Sequence, residues 1–233
     1  PVRMVTAATG LDGDLTPDIN AEGMILFSST RARGVQQIFT CPQNSTTLLT
    51  QLTTLPKGAT LPSWSPDGKQ VAFASPDTQG KYSVCVMDRD GGNVRLITPG
   101  FQPRWSPDGH SLVFVNETPG PRRNWDVYTI GLDGKGLTQH TRDDTNEFDP
   151  DWSPDGNWIC CVSVRDRILL PRNPYAATRE LRRKPHWEIW AKNITTNKPS
   201  VRLAGSESLR DRCMNPRWSP DGRQLAFCSD RNG

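Results

Sequence analysis

One five-residue motif, Trp-Ser-Pro-Asp-Gly, occurs four times and constrains the fold more than any other feature of the chain. The copies begin at Trp64, Trp105, Trp152 and Trp218, and a degenerate copy occupies residues 19–23. The first three tryptophans are 41 and 47 residues apart, within the period of ~40–50 residues that is typical of propeller blades. The last interval, 66 residues, is about twenty residues longer, so it predicts an insertion in one repeat.

Each repeat has the same internal order, which residues 59–98 illustrate. A short strand ends at Trp64, and Pro, Asp and Gly at 66–68 favour a tight turn. Three further strands are predicted at 70–75, 82–87 and 94–98, with a hairpin turn at 90–92. Four short strands in each repeat of this length predict one antiparallel propeller blade.

These features resemble the TolB-type propeller repeat, a WD-repeat-like group. Besides the four turns, the resemblance rests on Phe73, Phe114 and Phe227, Leu96-Ile97-Thr98, Leu137-Thr138, and Ser229-Asp230-Arg231-Asn232-Gly233. It implies an all-β propeller in which the strand before each turn is innermost and the last strand of each repeat is outermost. We expect Phe73, Phe114, Cys161 and Phe227, each nine residues after its Trp, to be buried between blades.

A single propeller domain over residues 1–233 follows, with about five visible blades. The predicted blades are 14–53, 60–98, 101–141, 147–204 and 213–229. Residues 1–6 resemble 94–98, so we expect them to close the last blade as its outer strand. Either the ring has five blades, one of them incomplete, or the chain is a piece of a six-bladed ring.

Composition and residue spacing argue against membrane insertion and against a metal-binding or catalytic site. No apolar run approaches the ~18 residues of a spanning helix, so membrane insertion is not expected. The three histidines fall in different repeats, and the six cysteines are irregularly spaced without a Cys-x-x-Cys pair, so no catalytic, cofactor-binding or metal-binding residues are predicted. Free cysteines favour a reducing, cytoplasmic compartment, whereas the family resemblance implies a periplasmic or secreted protein; the sequence leaves both open.

The insertion, residues 165–186 of the fourth blade, carries most of the positive charge. Residues 165–184 have a net charge of +5, against +3 for the whole chain, and 172–184 favour a short helix. We expect this basic loop to bind an acidic partner, or to pair with the acidic segment 143–151. The candidate partner-binding residues are Arg165, Arg167, Arg172, Arg179, Arg182, Arg183, Lys184, Asp143 and Asp144.

Two functions from different classes remain. The first is a non-catalytic scaffold for protein–protein interaction, with the basic loop as its docking arm and another protein with an acidic patch as its partner. Nucleic acid is not favoured, because Tyr175 is the one aromatic residue among these basic residues. The alternative is a propeller enzyme of the polysaccharide lyase or glycosidase kind, using carboxylates such as Glu147 and Asp149 at the channel mouth.

Overall fold

The computed structural model describes residues 13–45, 48–119, 124–165, 186–196, 198–205 and 212–230. Within these ranges every regular element is a β-strand, as the repeat predicts. The chain divides into two compact units, 1–114 with 129–137 and 115–128 with 138–233. The predicted closing strand 1–6 and the predicted helix at 172–184 lie outside the described residues.

The first unit contains two complete antiparallel sheets in which consecutive strands are neighbours. The strands of the first sheet are β1 (Asp14–Ile19), β2 (Met24–Ser29), β3 (Gln37–Pro42) and β4 (Thr50–Gln51). Those of the second are β5 (Thr60–Trp64), β6 (Gln70–Pro76), β7 (Tyr82–Asp88) and β8 (Arg95–Pro99). This is the strand order that the motif and its spacing predict.

Three more groups of strands follow. The third sheet, which the boundary between the two units crosses, consists of β9 (Phe101–Trp105), β10 (Ser111–Thr118), β11 (Asn124–Gly131) and β12 (Thr138–Gln139). The second unit contains a fourth sheet of β13 (Asn146–Trp152), β14 (Trp158–Arg165), β15 (His186–Asn193) and β16 (Val201–Gly205). It also contains a two-stranded sheet of β17 (Cys213–Trp218) and β18 (Leu225–Ser229). The single-domain assignment and the closure by residues 1–6 stay predictions.

The repeated turn is held by one hydrogen-bond pattern in all four copies. In the second copy the Ser106 hydroxyl donates to Asp108 Oδ1 at 2.5 Å and accepts the Ser111 N–H at 2.9 Å. Asp108 Oδ1 also accepts the His110 N–H at 3.0 Å. The serine hydrogen bond is the main cause that lowers the pKa of this Asp and of its three counterparts, Asp67, Asp155 and Asp221. These aspartates therefore act as turn formers.

A second regularity is a left-handed residue in every first strand. It lies three residues before the motif Trp, or before Ile19 in the degenerate copy, and φ is between 50° and 56°. The five residues are Thr16, Leu61, Gln102, Asp149 and Asn215. The strand register shifts at this point in four of the sheets, as a β-bulge requires. None of the five is Gly, so no residue type in the sequence indicates the bulge.

The core of the first unit lies where its two sheets face each other. Its buried members include Leu26 and Ile38 from the first sheet and Val71 and Phe73 from the second. Their alternation along β2, β3 and β6 buries one side-chain row of each strand against the neighbouring sheet. Hydrophobic burial between sheets is therefore the main packing interaction in this unit.

The predicted burial of the residues nine positions after each Trp holds at three of the four sites. Phe73, Phe114 and Cys161 are buried, whereas Phe227 is 42% exposed. The expectation for Phe227 is wrong because, within the described residues, β17 is the only strand that pairs with β18. With one described partner strand, the ring at this position has less surface to pack against.

This contrast gives a stability prediction with an internal control. Phe73→Ala removes a fully buried ring and should lower the free energy of unfolding by about 3–5 kcal/mol. Phe227→Ala changes the same repeat position on an exposed strand and should cost less than about 1 kcal/mol. Urea unfolding of both variants measures the difference. Equal losses would contradict the assigned packing.

Candidate functional site

The candidate partner-binding residues are only partly described. Asp143 and Asp144 are exposed on the connection between β12 and β13, and the Asp143 carbonyl accepts a 2.8 Å hydrogen bond from Asn124 Nδ2. Arg165 ends β14, but its side chain lies outside the described residues. The other basic candidates also lie outside them: Arg167, Arg172, Arg179, Arg182, Arg183 and Lys184. Whether the basic loop meets Asp143 and Asp144 stays a prediction.

Two carboxyl groups that the sequence did not pair lie close to this connection. Asp126 on β11 and Glu147 on β13 are each only 2% exposed, and the charge of Asp126 acts on Glu147. No motif in the sequence indicates Asp126, whereas Glu147 belongs to the acidic segment 143–151 and is one of the carboxylates of the enzyme alternative. We call Asp126 and Glu147 the acid pair.

Asp126 is held by hydrogen-bond donors from three segments. Thr118 Oγ1 at the end of β10 and Gln139 Nε2 on β12 donate to Asp126 Oδ2, the latter at 3.2 Å. Thr141 Oγ1 donates to Oδ1 at 3.1 Å and accepts the Val127 N–H at 2.9 Å. Burial raises the pKa of Asp126 in spite of these donors. The carboxyl group therefore ties β12 and the 140–145 connection to β11.

Glu147 is less well satisfied. Its Oε1 accepts hydrogen bonds from Thr145 Oγ1 and, at 3.3 Å, from Ser163 Oγ. Its Oε2 is buried and has no hydrogen-bond partner among the described residues. Burial, together with the neighbouring charge of Asp126, raises the pKa of Glu147 to about 8. Burial and the charge of Asp126 therefore favour the protonated form of Glu147 at neutral pH.

At the matching contact between the first two sheets, neutral side chains take the places of the acid pair. There Thr53 Oγ1 accepts the Ile38 N–H at 2.9 Å and donates to Gln37 Oε1 at 2.7 Å. Gln37 thus occupies the place of Asp126. Ala59, five residues before its motif Trp, occupies the place of Glu147. The repeat itself requires neither carboxyl group, and aligning the repeats on these positions is the signal that could have identified the acid pair.

The two carboxylates proposed for an enzyme have different surroundings. Glu147 is one member of the buried acid pair, whereas Asp149 Oδ2 accepts the Asn215 N–H of β17 at 3.1 Å. The neighbouring Asp151 similarly accepts the Trp218 N–H at 3.1 Å. Asp149 and Asp151 therefore link the first strands of successive sheets in the second unit.

The described residues also bear on metal and membrane binding. In the described ranges, no three His, Cys, Asp or Glu side chains are grouped closely enough to hold a metal ion. Burial and the nearby Lys192 lower the pKa of His140 to about 4, so its imidazole is neutral near pH 7. Of the residues described, none forms a helix long and apolar enough to cross a membrane.

Comparisons with known proteins identify the fold. No protein-family model matches the sequence, and a search of curated proteins finds no match. A TolB structure from Agrobacterium tumefaciens is similar at 21% identity with a TM-score of 0.70, covering 90% of this chain and 73% of that one. TolB from Acinetobacter baumannii is similar at 20% identity with a TM-score of 0.69, covering 92% of this chain and 48% of that one.

The chain has the TolB-type β-propeller fold. A puromycin-hydrolysing peptidase from Mycobacterium tuberculosis is also similar, at 16% identity with a TM-score of 0.62. This chain spans about a third of that peptidase and about half of the Acinetobacter TolB. At these identities the likenesses show the propeller fold alone, because this fold serves proteins with different activities.

The hydrogen bonds of Asp126 predict graded effects of substitution. Asp126→Ala leaves three half-buried donors without this acceptor and should cost roughly 2–3 kcal/mol of unfolding free energy. Asp126→Asn keeps one acceptor and removes the charge next to Glu147, so it should cost less. The control, Asp144→Ala on the exposed connection, should change stability by less than about 0.5 kcal/mol. Urea unfolding at neutral pH tests this order.

Proposed function

We propose that this propeller is a non-catalytic scaffold for protein–protein interaction, and that the basic loop 165–186 is its docking arm. The observation that supports this most directly is the charge of the insertion, +5 over 165–184 against +3 for the whole chain. A basic arm of this kind attracts an acidic partner over a distance of about one Debye length. The proposed partner is therefore a protein with an acidic patch.

The propeller fold is consistent with this role. Sheets stacked as repeats make a rigid support from which loops of very different length project. Exposed loops on a rigid support are common sites of partner binding. Solved TolB structures are similar to this chain at TM-scores of 0.70 and 0.69, which supports a propeller scaffold.

The enzyme alternative has less support. It needs two carboxylates that a substrate can reach, about 5–10 Å apart. Of the two carboxylates it invokes, Glu147 is 2% exposed and Asp149 is 9% exposed, and Asp149 already accepts a backbone N–H. The likeness to the Mycobacterium tuberculosis peptidase is a likeness of fold and adds no support for an enzyme, because this chain covers 36% of that protein.

The docking arm can be tested with a fluorescent poly-Glu peptide as the acidic probe. Replacing residues 168–184 with a short Gly-Ser hairpin should abolish binding and leave the strand content unchanged by circular dichroism. The triple variant Arg179→Ala, Arg182→Ala, Arg183→Ala should weaken binding roughly tenfold, and added salt should reduce the difference from the unmodified chain.

A charge-matched control distinguishes the arm from net charge. Lys57, Lys69 and Lys135 are exposed and lie outside the insertion. Changing all three to Ala removes the same charge and should weaken binding less than about threefold. If this control weakens binding as much as the arginine variant does, or if the hairpin variant still binds, the docking-arm proposal is wrong.

A further inference from the structure

The acid pair is a departure from the repeat that the scaffold function does not explain. Where the first two sheets place Gln37 and Ala59, this junction places Asp126 and Glu147, both 2% exposed. Burying two carboxyl groups side by side is costly unless at least one is neutral or both are fully paired. Glu147 Oε2 has no hydrogen-bond partner among the described residues, so full pairing is not achieved.

The charged and titratable groups around Glu147 come from four segments. They are Asp126 and Tyr128 on β11, His140 on the connection, Cys161 on β14, and Lys192 and Glu188 on β15. Glu188 lies in one cross-strand row with Ser163 and Glu147 and forms an ion pair with Arg202. Lys192 Nζ donates a 2.5 Å hydrogen bond to the His140 carbonyl rather than to either carboxyl group. Burial raises the pKa of Cys161 well above its usual value, and His140 is neutral above about pH 5, so neither group changes charge between pH 6.5 and 9.

We propose that Glu147 carries a proton at neutral pH, and that losing this proton under alkaline conditions releases the 140–145 connection from Asp126. The reason is electrostatic. A second buried negative charge next to Asp126 is repelled by it, and the anionic Glu147 competes for the hydroxyl donors of the connection. The protonation state of Glu147 then controls whether the connection that carries Asp143 and Asp144 stays hydrogen-bonded to β11.

The sign of the pH effect follows from linkage. An unfolded Glu loses its proton near pH ~4.3, whereas the folded Glu147 keeps it until about pH 8. Between these values the folded state holds more protons than the unfolded state, so the stability contributed by this group falls as pH rises. The slope for one proton approaches tenfold in the unfolding equilibrium constant per pH unit.

Hydrogen exchange followed by mass spectrometry tests the proposal at the connection itself. The Val127 N–H is bonded to Thr141 Oγ1, and the Ile38 N–H is bonded in the same way to Thr53 Oγ1, both at 2.9 Å. After correction for intrinsic exchange rates, protection of the β11 peptide should fall at least about tenfold between pH 6.5 and 9. Protection of the β3 peptide, whose junction holds Gln37 and Ala59, should stay constant.

Three variants complete the experiment. Glu147→Gln keeps the shape without a titratable group and should abolish the alkaline loss of protection. Should it fail to fold, Glu147→Ala serves instead, because Ala occupies the matching position 59 of the second repeat. Glu188→Gln is the matched control: Glu188 is buried in the same sheet, but Arg202 Nη1 holds it at 2.9 Å, so this variant should retain the alkaline loss.

Three results would overturn the proposal. The first is a parallel loss of protection in the β3 and β11 peptides. The second is an alkaline loss that persists in Glu147→Gln. The third is that calcium restores protection of the β11 peptide at pH 9 in the unmodified chain but not in Glu147→Gln. The acid pair would then be a cation site. The experiment involves no partner protein, so its failure leaves the docking-arm proposal untouched.

Discussion

The hydrogen bond between the motif serine and the motif aspartate is the interaction on which the sheets depend. It closes the turn between the first two strands of a sheet and, through the serine hydroxyl, also binds the N–H that begins the second strand. Because a strand has a side-chain period of two, fixing this one turn fixes which residues face the neighbouring sheet. The buried row that contains Val71 and Phe73 follows from that register.

The degenerate first copy shows how much of the motif the fold needs. Asn20 replaces the serine, and its Oδ1 accepts the N–H groups of Glu22 and Met24. The turn is one residue shorter, since Ile19 pairs with Ile25 where Trp64 pairs with Val71. A side-chain oxygen at the first turn position therefore suffices to close the hairpin, and the Pro-Asp-Gly sequence is one of several ways to complete it.

The acid pair illustrates how a repeat acquires an individual property. All repeats supply the same backbone positions at the junction between sheets, but each is free to place different side chains there. At one junction an amide and a methyl group make a neutral contact. At another, two carboxyl groups meet, and one buried carboxyl oxygen has no hydrogen-bond partner in the part of the chain that the structure describes. Such a position is costly in stability and is therefore informative about function rather than about folding.

The sequence by itself determined the elements and their order. Four turns with one hydrogen-bond pattern, spaced by one blade length, fixed the strands of each sheet because turn chemistry is local. What the tertiary structure alone decided depends on residues distant in the chain. No Gly marks the left-handed residue at the bulge of each first strand. The exposure of Phe227 depends on how many strands pair with β18. The nearness of Asp126 to Glu147 depends on the contact between two sheets. Those features arise from packing between strands, and no local sequence pattern encodes them.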